Sequence, residues 1–129
     1  VEVSVRRRAQ PEAEIQRTLI AHFVVRGVPG VFVSHPPNGG YREPTEAAIL
    51  KGMGVRPGLP DVIAIKGGQV YAIELKTENG RATSAQLQAI GELRAAGAHA
   101  EVCYGLDRAL AQLEAWGLLR GRASRWCHD

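Results

Sequence analysis

Gly58-Leu59-Pro60-Asp61-Val62-Ile63-Ala64-Ile65-Lys66-Gly67-Gly68-Gln69-Val70-Tyr71-Ala72-Ile73-Glu74-Leu75-Lys76 is the stretch whose reading decides the fold. Val62 to Ile65 and Val70 to Ile73 are apolar and rich in β-branched residues, with Gly67-Gly68 between them. Two such runs joined by Gly-Gly predict a β-hairpin with a primed turn. With those two glycines as the loop, Lys66 faces Gln69 and, counting outward in step, Asp61 faces Glu74. Side chains alternate between faces, so Lys76 shares a face with Glu74. A longer turn would shift this register.

Three charged groups therefore converge at the end of two apolar strands. Two carboxylates directly across a ladder repel each other, and a buried charge is costly unless it is paired or holds a metal. A divalent cation between Asp61 and Glu74 removes the penalty. Duller readings exist. Glu74 and Lys76 as an exposed strand-end pair would add little to stability, and an Asp after Pro60 also suits a turn. The apolar runs on both strands favour burial. Two acids and a lysine at one spot suit metal-assisted phosphodiester hydrolysis.

Outward from the hairpin, the chain reads as one α/β unit. Pro11, Glu12 and Glu14 suit the first turn of a helix, and Ile15, Leu19, His22 and Phe23 recur at helical spacing up to about Gly27. Val31 to Val33 reads as a strand and His35-Pro36-Pro37-Asn38-Gly39-Gly40 as a loop. A short helix is expected over residues 45–53. After the hairpin, Thr83 or Ser84 caps a helix that Gly97 ends. Ala100 to Tyr104 reads as a strand and Asp107 to Trp116 as an amphipathic helix. The expected fold is α/β, a central mixed β-sheet flanked by helices. The expected divisions are a basic N-terminal arm over 1–10, a domain over 11–119 and an Arg-rich tail over 120–129.

Composition narrows the classes. At 129 residues, with 45% hydrophobic and 22% charged residues, the chain is of ordinary globular make-up. A net charge of +3 and a pI near 9.2 give modest support for an anionic partner. Aromatic residues make up only 5%, which argues against a base-stacking platform for single strands. Two cysteines, Cys103 and Cys127, make no disulfide framework. A zinc site from Cys103, Cys127 and His128 lacks ligand spacing. The apolar stretch 23–33 is broken by Arg26, Gly27, Pro29 and Gly30 and is too short to span a bilayer. A reducing cytoplasm is the expected compartment.

Pro60-Asp61 followed by Glu74-Leu75-Lys76 resembles the PD-(D/E)XK nuclease superfamily. With Glu14-Ile15-Gln16, His35 to Gly40, Gly58 to Asp61, Ile73 to Thr77 and Ser84-Ala85-Gln86, the chain resembles the VRR-NUC (virus-type replication-repair nuclease) family over residues 11–117. That resemblance implies a restriction-endonuclease-like core. It implies Mg²⁺, with Mn²⁺ able to substitute, held by Asp61, Glu74, the Leu75 backbone carbonyl and Glu14. Glu12 competes with Glu14 for the last role. Lys76 would orient the attacking water and Gln86 would hold the lysine or the water. Stand-alone members, from phages and bacteria, are associated with cutting four-way DNA junctions as homodimers, and a short, unfused chain is similar to those. A flap or nicked-duplex nuclease of broader specificity, or an inactive nucleic-acid-binding module, is the alternative. No membrane or small-molecule cofactor is expected. Arg56 and Arg81 flank the hairpin and are the favoured phosphate contacts. Arg42, Lys51, His35 and Asn38, and arginines of the arm and tail, are further candidates.

Overall fold

A computed structural model describes residues 11–37 and 43–121. The arm 1–10, Asn38, Arg42, and the tail residues Arg122, Arg125, Cys127 and His128 lie outside the described residues. The elements run α1 (Pro11–Arg26), β1 (Phe32–Ser34), α2 (Pro44–Gly52), β2 (Val62–Lys66), β3 (Gln69–Lys76), α3 (Ser84–Ala95), β4 (His99–Tyr104) and α4 (Leu106–Ala115). Four strands form one sheet in the order β1-β2-β3-β4. β1 pairs with β2 and β2 with β3 antiparallel, and β3 pairs with β4 parallel. A parallel pair needs a crossover, and α3 supplies it.

The hairpin register is the expected one. Lys66 faces Gln69 and Val62 faces Ile73, so Asp61 and Glu74 come next in step. Gly67 and Gly68 have φ of 58° and 77°, which fits a two-residue turn needing positive φ at both positions.

Alternation along the strands separates two faces. Val62, Ala64, Ile73, Leu75 and Cys103 point to one face, where Leu19 and Phe23 of α1 and Leu110 and Leu113 of α4 complete the main core. Leu19 is fully buried, and burial of such a side chain contributes about 1.5–3 kcal/mol. On the other face, Ala72 and Ala100 meet Ile90 of α3 in a smaller cluster. Glu74 and Lys76 alternate onto this second face. Phe32 and Ile65, paired across β1 and β2, stay 63% and 40% exposed there. The β1–β2 half of this face is therefore open to the surroundings.

Beyond α4 the chain returns along α1. Val28 N–H donates to the Leu118 carbonyl and Arg120 N–H to the Arg26 carbonyl. The Arg26 side chain also donates to the Arg120 carbonyl, to His22 at 2.9 Å and to Glu114 at 2.8 Å. Among the described residues, no helix is long and apolar enough to cross a membrane.

Candidate metal centre

Pro60 is fully buried and delivers Asp61 to the first rung beyond β2. One oxygen of Asp61, Oδ2, accepts the Leu75 N–H at 2.8 Å. On the other side, His35 Nδ1 lies 2.7 Å from the Asp61 carbonyl oxygen. A carbonyl only accepts, so the imidazole carries its proton on Nδ1 and turns Nε2 outward. Asp61 is thus held through its side chain by β3 and through its backbone by the residue after β1. An extended residue points its N–H and C=O toward the same neighbour, so the Leu75 carbonyl opens toward Asp61 as well.

Glu74 is 2% exposed. Lys76 Nζ stands 3.7 Å from its Oε2, and Lys76 is itself buried. Glu74 Oε1 is buried with no hydrogen-bond partner. Burial drives the Glu74 carboxyl up to about 8; the charge of Asp61 adds to this, Lys76 opposes it, and a hydrogen bond with Asp61 and the charge of Glu12 contribute further. One lysine does not offset two neighbouring acids in a site this dry. An orphaned carboxylate oxygen beside a second carboxylate supplies hard oxygen donors, which fits Mg²⁺ or Mn²⁺. Two side-chain acids make this set. Among the described residues, no group of three or more His, Cys, Asp or Glu gathers at one point.

The VRR-NUC domain family matches residues 7–107, most of the described chain. The chain belongs to the VRR-NUC family. A solved VRR-NUC domain protein aligns with a TM-score of 0.70 at 29% identity, over 82% of this chain and 87% of that one. A second solved VRR-NUC domain aligns with a TM-score of 0.55 at 22% identity, over 81% and 95%, and shows the shared fold alone. A Holliday junction resolvase of Archaeoglobus fulgidus gives a TM-score of 0.45 at 18% identity, over 72% of this chain and 67% of that one, too slight a likeness to bear on fold or function. No curated protein matches. This VRR-NUC chain therefore has the expected α/β, restriction-endonuclease-like architecture, and its family is one of nucleases.

Some residues that the sequence singled out stand elsewhere. Glu12 and Glu14 are both exposed, and the charge of Glu12 is the smallest of the causes that raise the Glu74 carboxyl. The two are about 200° apart around a helix, so they face nearly opposite ways. One turn back from Ile15, on the Ile15–Leu19–Phe23 stripe, is Glu12. Gln86 is committed to a capping box. Its Oε1 accepts the Thr83 N–H at 2.8 Å, and its own N–H donates to Thr83 Oγ1 at 3.1 Å. That leaves its amide nitrogen as the remaining polar end, and among the described residues it makes no hydrogen bond to Lys76. Arg56 pairs with Glu92 of α3 at 2.9 Å on the surface. The Glu92 carboxyl is held below its usual range by Gln88 and then by Arg56. Arg81 and Lys51 are exposed. His35, a candidate DNA contact, is tied through Nδ1 to the Asp61 backbone. Cys103 is a buried thiol, pushed up to about 11 chiefly by burial.

Gly58, the first residue of the Gly58 to Asp61 motif, fixes the approach to Asp61. Its φ is 77°, and a Cβ there would lie 2.5 Å from the backbone of Ala85. The strand lead-in therefore packs directly against the first turn of α3, which only glycine permits.

Proposed function

We propose that this chain is a Mg²⁺-dependent, structure-specific DNA endonuclease that cuts four-way junctions as a homodimer. The observation that supports the chemistry is the half-buried Asp61 beside the buried Glu74, with Lys76 against it and one Glu74 oxygen left without a partner. Asp61, Glu74 and the Leu75 carbonyl would hold the ion, with Glu12 reaching it through water. The bound ion would acidify a water and offset charge on the scissile phosphate. Lys76 keeps its ammonium beside the reacting position, orienting the attacking water and donating to the phosphate oxygens as charge grows. His35 and the Leu75 N–H hold Asp61 in place, and its other carboxylate oxygen would be the one left for the ion. Hydrolysis in this family's manner leaves 5′-phosphates.

The preference for branched DNA and the paired protomers rest on resemblance to VRR-NUC proteins that cut such junctions. Labelled four-way junction, flap, nicked duplex, linear duplex and single strand, each incubated with protein and Mg²⁺, form the test. Paired symmetric nicks confined to the junction are expected. Absence of cleavage on every substrate with Mg²⁺ and with Mn²⁺ would falsify the enzymatic reading, and equal cutting of flap and junction would remove the resolvase part alone.

A further inference from the structure

A cleft of about 470 Å³ opens beside the metal centre, lined by Ala13, Gln16, Arg17 and Ile20 of α1 and by His35. The four α1 residues recur at three- and four-residue spacing, so they form one stripe along the helix. Leu19 and Phe23 of the same helix enter the core, and Ile20 at the floor of the stripe packs partly against it. His35 joins the cleft to the site, because the ring that lines it is hydrogen-bonded to the Asp61 backbone. Arg17 is exposed and makes no ion pair among the described residues. The walls are mainly apolar, with a few polar groups converging on them: a guanidinium, an amide and an imidazole edge. This is the usual make-up of a small-molecule subsite, and the volume admits one nucleotide unit.

We propose that this cleft is a subsite for one nucleotide of the DNA strand adjoining the cut. Arg17 takes a phosphate oxygen, Ala13 and Ile20 pack against the sugar and base, and Gln16 and His35 Nε2 face their polar edges. A nucleotide is the occupant that matches both halves of the cleft, since it joins an anion to an amphipathic body. Continuity with Asp61 gives the strand its path. The proposal rests on the nuclease reading for its ligand, and its test is a binding measurement, so the two fail separately.

Binding of a fluorescein-labelled four-way junction is followed by anisotropy without divalent metal, over a range of KCl, for wild type, Arg17→Ala, Ala13→Phe and, as a control at the far end of the sheet, Lys66→Ala. Removing one phosphate contact weakens binding and lowers the slope of log K against log salt by about one, which is the expectation for Arg17→Ala, with Kd raised about fivefold. Ala13→Phe fills the cleft from an exposed position and is expected to raise Kd comparably with the salt slope unchanged. Lys66→Ala is expected to match wild type, and thermal unfolding midpoints are expected to stay level across the set. Wild-type affinity in Ala13→Phe would overturn the proposal by reducing Arg17 to a surface charge, as would equal weakening in Lys66→Ala. Cleavage by wild type with no change in either cleft variant would overturn the subsite and leave the nuclease intact. Loss of binding in both cleft variants of a protein that never cleaves would do the reverse.

Discussion

Glu74 carries the sharpest consequences at the level of single residues. Its carboxyl is raised to about 8, mainly by burial and then by Asp61. Between its ordinary value near 4.5 and about 8, the folded, metal-free protein holds a proton that the unfolded chain has released. Stability then falls as pH rises through that window, because the native state binds more protons there. Urea midpoints of the chelator-treated protein are expected to be lower at pH 8.5 than at pH 5. Glu74→Gln is expected to flatten that dependence and to leave the metal-free protein more stable than wild type at pH 8.5, while cleavage is lost. A cation must displace the same proton, so apparent Mg²⁺ affinity, read by calorimetry, is expected to rise with pH up to about 8. For Lys76 the proposed role is kinetic. Lys76→Ala is expected to lower kcat by about 10²–10³-fold, with DNA affinity little changed. Activity equal to wild type would remove Lys76 from the reaction.

At the level of elements, Gly58 and the α3 cap set the frame in which Asp61 sits. Gly58→Ala forces a side chain into positive φ and against the Ala85 backbone, and strain of this kind costs about 1–3 kcal/mol. A drop in the thermal midpoint is expected, together with a loss of cleavage larger than the drop in stability explains, since the displaced lead-in moves Asp61. The hairpin and its register were legible in the sequence because Gly67-Gly68 leaves a single turn length that keeps both apolar runs in step. The α3 start was legible for a related reason: Thr83 with Gln86 three residues on is a capping box. That same box gives Gln86 a second, local task. Its side-chain oxygen satisfies the helix end, a local demand that a motif at the same spacing conceals. Glu12 and Glu14 could not be separated by helix propensity, since both suit a first turn; only the phase of the buried stripe distinguishes them. The contacts of His35 and Gly58 lie between segments 26 residues apart or more, and no local pattern encodes such meetings.

For the whole molecule, the open half of the sheet face and the position of the acids bear on how two strands are cut. One chain supplies one Asp61–Glu74–Lys76 set, on the face where α3 packs over β3, β4 and Ile63 of β2. Paired incision of a junction then calls for two sites at fixed separation, which a two-fold dimer gives. The expected mass by light scattering at micromolar concentration is that of two chains, near twice 13.9 kDa. Subunit mixing extends the test to function. Wild type mixed with excess Lys76→Ala is expected to place most active protomers opposite an inactive partner, so junctions accumulate with one nick and paired cuts fall away. Independent monomers would behave differently: excess variant would slow both nicks only by competing for DNA, and the ratio of single to paired cuts would follow enzyme dilution. That ratio, measured on a cruciform plasmid where nicked and linear products separate, decides between the two assemblies without reference to where the protomers touch.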